Sequence, residues 1–282
     1  MISHRLMNAG DIPAGLSLCR AAGWNQLARD WQLFMNSNPG GCFVAVDDNN
    51  EVSGTVTTLR YEDHFSWIGM VLVNPGARRQ GIGSGLLQQS IDVLSEEKTI
   101  KLDATPEGRE VYLKLDFKDE YPLTRMHLDQ VNVDRLPVSP AIPLQKEDLP
   151  AVLEFDREVF GANRGFILEW LYNGAPELAF VVKEKEKVVG YCFGRYGHHF
   201  TQIGPVISTS VERAIQVATA AMRNVVKGPL IIEMLHHTPT WTKAVENLGF
   251  VERRRLIRMF KGLNAFPGLP QQQFAIAGPE FG

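Results

Sequence analysis

Cysteine, excess positive charge and long apolar runs are all scarce in this sequence, and each shortage excludes a class of protein. Its three cysteines, Cys19, Cys42 and Cys192, form no C-x-x-C pair and leave an odd thiol, which argues against a disulfide framework and predicts buried apolar roles. The 29 basic and 32 acidic residues give a formal charge of -3, so we expect no nucleic-acid partner. Because no stretch resembles a membrane span or a signal peptide, we expect a cytoplasmic protein without a membrane partner.

An internal repeat is the main organising feature of the chain. The 282 residues, of which 44% are apolar, allow two domains with cores of their own. CFVAV (42–46) matches AFVVK (179–183), and Phe117 matches Phe250 in the same order. The repeat predicts a duplicated domain, with units at 1–135 and 136–282 and a boundary in the proline-containing segment 136–143.

Each repeat unit alternates strand and helix patterns after an initial hairpin. In the first copy, an apolar strand at 67–73 precedes a helical apolar period that begins near Gly81, and a short strand (99–104) precedes a helix at 107–115. This order predicts an α/β fold with a mixed sheet, mostly antiparallel and flanked by helices.

A glycine turn joins the strand at 67–73 to the following helix. Gly81, Gly83 and Gly85 let a ligand approach the main chain, and the unpaired N–H groups of a helix start attract anions. Arg78 and Arg79 add positive charge. The turn therefore predicts a phosphate-binding site, against the alternative of a plain connection with solvated arginines.

Spacing narrows the choice of phosphate ligand. A dinucleotide fingerprint needs G-x-G-x-x-G, but Leu86 occupies the position of the third glycine counted from Gly81, and the G-K-[ST] of a P-loop is absent. Asp103 lies about 20 residues downstream, where a ribose-binding acid would be expected, so a dinucleotide site remains an alternative.

The same residues resemble the GCN5-related N-acetyltransferase (GNAT) family. Its signature V-x-P-x-x-R-x-x-G-x-G is matched by Val73 to Gly83, and LDATPEGREVYLKLDF (102–117) resembles the tyrosine-containing segment that follows in that family. The segments FDREVFGANR and FAIAGPEFG look like the second domain of bacterial tandem members. The resemblance thus covers both halves of the chain.

The resemblance implies acetyl-CoA as co-substrate and an acetyl transfer to an amine. The implied cofactor-binding residues are Val71, Leu72, Val73, Arg78, Arg79, Gly81, Ile82, Gly83 and Ser84. The main chain near Val71 would stabilise the oxyanion, and Tyr112 would protonate the departing thiolate. A half-buried packing role is the alternative for Tyr112.

A general base is harder to assign from the sequence. Glu62, Asp63 and His64 lie in the loop before the cofactor strand, near the position of carboxylates in the family. We assign the base to Glu62, with a solvated turn as the alternative for all three.

The second copy lacks the residues that carry the chemistry. Its turn reads ISTSVERAIQVAT, which retains only Arg213, and Val245 replaces Tyr112. We therefore expect a degenerate domain that is structural or binds substrate. Candidates to line a pocket facing the first copy are Arg164, Trp170, Tyr191, Arg195, His198 and His199. The adjacent pairs His198-His199 and His236-His237 do not have the spacing of metal ligands on a helix, so we predict no metal.

Together these features predict an acetyl-CoA-dependent N-acetyltransferase acting on a primary amine of a small molecule. The alternatives are a non-catalytic acyl-CoA-binding sensor or regulator, and a protein-lysine acetyltransferase. The sequence does not distinguish a monomer from a homodimer.

Overall fold

A single thirteen-stranded sheet runs through the described part of the chain, residues 2–225, 228–235 and 238–282 of a computed structural model. The strands are β1 (Ser3–Leu6), β2 (Phe43–Val46), β3 (Val52–Tyr61), β4 (Phe65–Val73), β5 (Thr99–Ala104), β6 (Lys118–Leu128), β7 (Ile142–Pro143), β8 (Phe180–Glu184), β9 (Lys187–Arg195), β10 (Thr201–Ser208), β11 (Leu230–Leu235), β12 (Val251–Gly262) and β13 (Gln273–Ala275). The helices are α1 (Ile12–Ala21), α2 (Ala28–Ser37), α3 (Ile82–Val93), α4 (Pro106–Leu113), α5 (Leu149–Phe160), α6 (Gly165–Gly174), α7 (Val211–Met222) and α8 (Pro239–Asn247).

The expected fold class is confirmed. All strand pairs are antiparallel except β4–β5 and β10–β11, which are parallel. Helices cover the sheet because their apolar faces need burial: Ile82, Leu86 and Leu87 of α3 pack on the first half, and Ala214 and Val217 of α7 pack on the second. Among the described helices, none is long and apolar enough to cross a membrane.

The two halves exchange their last long strands. The order is β1-β2-β3-β4-β5-β12-β6-β11-β13-β10-β9-β8-β7, so β12 from the second half lies beside β5, and β6 from the first half lies beside β11. Strand β12 pairs with β6 over most of its length, from Val251–His127 to Phe260–Lys118. The exchange joins the two halves into one sheet across the predicted boundary at 136.

Both parallel pairs separate soon after they begin. Strands β4 and β5 pair only at Ser66–Ile100 and Trp67–Lys101, and β10 and β11 pair only at Thr201–Leu230 and Gln202–Ile231. Beyond these positions each pair opens into a wedge. In the second half the wedge is filled by β13, which pairs with both flanking strands through Ala275.

The C-terminal segment crosses both halves. The apolar segment FAIAGPEFG packs on the body of the protein, since Phe274, Ile276 and Phe281 are buried. Gly69 and Gly204, which occupy matching positions in the repeat, leave room for this segment because they have no side chain. An added Cβ would lie 2.1 Å from the Ile276 oxygen at Gly204, and 2.9 Å from the Glu280 oxygen at Gly69.

Candidate active site

The wedge between β4 and β5 opens into a cavity of about 930 Å³. Residues from both halves line it, including Trp24 shortly after α1, Arg195 at the end of β9, and Glu280 in the C-terminal segment. All nine residues predicted to bind the cofactor line this cavity, and so does Tyr112. The structure therefore brings the strand, the glycine turn and the tyrosine to one place.

A bulge in β4 forms one wall of the cavity. Met70 has a positive φ of 54°, and the register with β3 shifts at this point, between Thr55 and Thr57. The Thr55 hydroxyl donates to the Met70 carbonyl at 2.9 Å, which satisfies a group that the bulge removes from the ladder. A non-glycine residue at positive φ stores strain of a kind found at ligand sites. The bulged segment no longer pairs with β5, so its main chain is free to bind a ligand.

The glycine turn forms the adjoining wall. Arg79 and Gly81 have φ values of 62° and 80°, and α3 begins directly after Gly81 without a side-chain cap. The first N–H groups of α3 therefore lack partners within the helix. An added Cβ at Gly83 would lie 3.3 Å from Val73 Cγ2, so glycine allows the helix to start close against β4.

Tyr112 stands on α4, on the wall opposite the turn. Its ring packs against Phe117 with centroids 5.9 Å apart. Burial raises the pKa of Tyr112 to about 12, which keeps the hydroxyl protonated at neutral pH. Within the described chain, no side chain hydrogen-bonds to this hydroxyl, so its proton is available to a ligand in the cavity.

The loop that was predicted to carry the general base, between β3 and β4, does not line the cavity. The Glu62 carboxylate binds the Arg157 guanidinium at 2.9 Å and the Asn163 N–H at 2.7 Å. The His64 ring stacks on Phe266 with centroids 3.8 Å apart. These contacts fasten the β3–β4 loop to the second half. Neither residue lines the cavity, so the geometry does not support Glu62 as the base, because its carboxylate does not reach the reacting groups.

A buried ion network closes the far end of the cavity, which we call the inner end. Arg195 donates to Asp30 at 2.9 Å and to Glu280 Oε1 at 2.5 Å, and Gln26 donates to the same oxygen at 2.7 Å. Although burial opposes it, the pKa of Glu280 is lowered by Arg195 and Gln26. The Glu280 carboxylate is therefore held ionised, and the Glu280 backbone lies against Gly69 of β4.

Arginines also line the inner end on the exchanged strands. Arg125 on β6 binds Glu233 at 2.8 Å, and Gln202 bonds the other Glu233 oxygen at 3.2 Å. Arg254 on β12 lies directly opposite Arg125 in the pairing. Sequence reasoning identified Arg195 but missed Glu280, Arg125 and Arg254, since these positions meet only through strand exchange and the C-terminal segment.

Asp103, the acid considered as a ribose ligand, lines the cavity but is bound by an arginine. Its inaccessible side chain binds Arg258 through both oxygens, at 2.8 and 2.9 Å. The Arg258 guanidinium lies 4.6 Å from the centroid of the Trp67 ring. A carboxylate saturated by a guanidinium is a poor partner for ribose hydroxyls. The dinucleotide alternative thus loses its acid.

The corresponding wedge of the second half is occupied by β13, which pairs with both β10 and β11. Arg213 forms an ion pair with Glu184 at 2.5 Å, and Val245 is buried in the core. Of the six residues considered for a pocket, Arg195 lines the cavity and the other five do not. Arg164 binds Asp156 at 2.9 Å within a buried cluster.

No group of three potential metal ligands occurs among the residues that the structure describes. His198 and His199 contact each other edge to face, and His236 and His237 lie outside the described residues. The three cysteines are buried free thiols, as expected, and burial raises the pKa of Cys19 and Cys42 to about 12.

Family models match both halves of the chain. Residues 17–117 match the model described as acetyltransferase (GNAT) family, and residues 152–275 match the model described as acetyltransferase (GNAT) domain. Together they cover most of the chain.

Two curated proteins resemble the chain over most of its length. Holothin acyltransferase of Pseudoalteromonas sp. (strain SANK 73390) is 25% identical over 85% of this chain and 81% of its own. The uncharacterized N-acetyltransferase YitH of Bacillus subtilis (strain 168) is 23% identical over 83% of each.

Solved structures share the fold. A proposed acetyltransferase of Pyrococcus horikoshii has a TM-score of 0.82 at 20% identity, covering 100% of this chain and 96% of its own. A tandem GNAT protein from the clavulanic acid biosynthesis pathway has a TM-score of 0.65 at 15% identity, covering 92% and 98%. The chain belongs to the GNAT acetyltransferase family, as a tandem of two such domains in one continuous sheet.

Proposed function

We propose that the protein transfers the acetyl group of acetyl-CoA to a primary amine of a small molecule, in the cavity of its first half. The observation that carries the proposal is the unfilled wedge between β4 and β5, which leads from the arginine-glycine turn to Tyr112 and the inner end. A thioester with a phosphate-bearing arm suits this arrangement, in which the phosphates lie at the turn and the thioester lies near Tyr112.

The chain's residues suit acetyl-CoA at each step along the wedge. The N–H groups at the start of α3 and the guanidinium groups of Arg78 and Arg79 suit a pyrophosphate. The free main chain of β4, from Val71 to Val73, suits the amide groups of the pantetheine arm, as an added strand would. The same wedge in the second half is occupied by β13.

The chain's own groups supply two elements of acyl transfer. As the amine nitrogen bonds to the acetyl carbon and the C–S bond breaks, a main-chain N–H near Val71 donates to the oxyanion. The Tyr112 hydroxyl gives its proton to the departing thiolate, and the amine releases its proton to water. The relative named for holothin supports acyl transfer to a small molecule.

A small acceptor suits the inner end better than a peptide. Trp24, Arg195 and Glu280 surround that end from three separate segments, and each is anchored by the network or by packing. A lysine side chain on a protein would need an open groove at this position.

The glycine turn gives the sharpest test of the cofactor site. Gly81 and Gly228 both have positive φ, 80° and 85°, and an added Cβ at either meets no atom within 4 Å. Gly81→Val and Gly228→Val therefore impose similar backbone strain, but only Gly81 lies at the cavity. Calorimetric titration with acetyl-CoA should show about a 10- to 100-fold loss of affinity in the first variant, since charge-assisted hydrogen bonds contribute about 1.5–3 kcal/mol each. Equal affinities in the two variants would remove the turn from the site.

The stoichiometry of acetyl-CoA binding is a second test. Because β13 fills the wedge of the second half, the same titration should give one acetyl-CoA per chain. Two equivalents would contradict the assignment of a single site.

A further inference from the structure

Arg254 differs from the other arginines at the inner end in its lack of bonded partners within the described chain. It lines the cavity, and no ion pair or side-chain hydrogen bond of its guanidinium occurs among the residues that the structure describes. Arg195 and Arg125, the other arginines there, bind Asp30, Glu280 and Glu233. An arginine partly removed from water and without a counterion costs free energy, which a bound anion would recover.

The surroundings of Arg254 increase its demand for an anion. Arg125 lies opposite it on the neighbouring strand, where like charges destabilise each other. Burial and then Arg125 lower the pKa of Arg254. Glu233 and Glu107 are the nearby carboxylates that oppose this effect. Glu233 is already bound by Arg125, and Glu107 is exposed at the start of α4 and forms no ion pair with Arg254.

Strand alternation places Arg254 on the face of the sheet opposite α3. Leu256, two residues along β12, packs with Leu123 and Ile276, whereas Met259 packs with the α3 residues on the other face. The register of β12 on β6 is continuous from Arg254 to Arg258, so Arg254 and Leu256 share a face. Glu280 reaches the cavity on this face too, because its backbone covers Gly69 and Trp67 donates to the neighbouring Pro279 carbonyl at 2.9 Å.

We propose that the acceptor is an amine that also carries a carboxylate, which binds the Arg254 guanidinium while the amine lies beside Glu280 and the cofactor strand. The inference rests on the proposed acetyl transfer and names its substrate class. Two charges of opposite sign then line the inner end, Arg254 for the carboxylate of the acceptor and Glu280 for the ammonium form of its amine. A guanidinium fork matches a carboxylate with two parallel hydrogen bonds.

The test compares amino acids of increasing chain length with their carboxamides, by release of CoA thiol from acetyl-CoA. Arg254→Gln removes the charge, and Arg255→Gln is the matched control, because Arg255 is 75% exposed and paired with Glu252. For at least one chain length, the wild type should favour the acid over its amide in kcat/KM. This ratio should fall about tenfold or more in Arg254→Gln and stay unchanged in Arg255→Gln, as expected for a charged hydrogen bond. Comparing ratios cancels the different basicities of the amines.

Binding measurements separate the possible failures. N-acetylated acids and their amides, titrated into the CoA-saturated protein, should show the same acid preference and its loss in Arg254→Gln. An acid-to-amide ratio that is equal in wild type and Arg254→Gln, in turnover and in binding, overturns the carboxylate site while leaving acetyl transfer intact. A tenfold loss of acetyl-CoA affinity in Arg254→Gln also overturns it, because the arginine would then serve the cofactor. Failure of the wild type to bind acetyl-CoA refutes the proposed function itself.

Discussion

The C-terminal segment packs against Gly204 and Gly69 at different distances, so we expect alanine at these two positions to destabilise the protein to different degrees. An alanine Cβ at Gly204 would lie 2.1 Å from the Ile276 carbonyl oxygen, roughly 1.2 Å closer than the 3.3–3.6 Å of a usual carbon–oxygen contact. The Ile276 N–H is itself bound to the Glu233 carbonyl at 2.9 Å, so the segment cannot shift without losing a hydrogen bond. At Gly69 the nearest atom is 2.9 Å away, and a shift of a few tenths of an ångström relieves the contact.

Overpacking of a buried site costs about 1–3 kcal/mol and occasionally more. We therefore expect Gly204→Ala to lower the free energy of unfolding by about 3 kcal/mol or more, and Gly69→Ala by about 1 kcal/mol. Gly40→Ala is the control, because an added Cβ there meets nothing within 4 Å; it should change the free energy by less than about 1 kcal/mol.

Denaturant titration of the three variants measures their free energies of unfolding, which can be compared if the slope of free energy against denaturant concentration is unchanged. The order Gly204→Ala, Gly69→Ala, Gly40→Ala, from least to most stable, is the expected result. If Gly204→Ala is as stable as Gly40→Ala, the C-terminal segment does not lie against β10, and the account of the filled second wedge fails with it.

The remaining prediction concerns Tyr112. Tyr112→Phe should lower kcat about 100-fold or more, the lower range for a general acid, with acetyl-CoA affinity unchanged because the interaction forms at the transition state. Equal kcat values for Tyr112→Phe and the wild type would show that Tyr112 has only a packing role. The pKa of Tyr112 in the folded protein is raised to about 12, so the hydroxyl keeps its proton below that pH and loses it above. We therefore expect that kcat of the wild type does not decline on the alkaline side below pH ~10, near the ordinary tyrosine pKa. A decline near pH 8 would contradict this assignment.

Local features of the sequence were enough to predict that β4 and the glycine turn lie together at the cavity. Strand β5 begins and ends at Thr99 and Ala104 as predicted, because polar and apolar residues alternate along TIKLDA, which is the pattern of a strand. The turn before α3 was also predictable, since glycines beside paired arginines at a helix start have few purely structural uses. These signals all lie within about 45 residues of chain.

The inner end could not be predicted in the same way. Glu280 reaches Gly69 through strand exchange and the path of the C-terminal segment, and neither has a local signature. Arg125 and Arg254 meet only because β6 and β12 pair across the halves. Glu62 was chosen by position alone, and a polar loop that fastens two halves together has the same composition as one that carries a base.

Release of CoA thiol from acetyl-CoA by the wild-type protein, measured across a panel of amines, shows directly whether the protein is an acetyltransferase. We expect release that depends on a small primary amine, and binding of acetyl-CoA at one site per chain. Tight binding of acetyl-CoA with no release for any amine, amino acid or lysine peptide would contradict it, and would indicate a sensor of the acyl-CoA rather than a transferase.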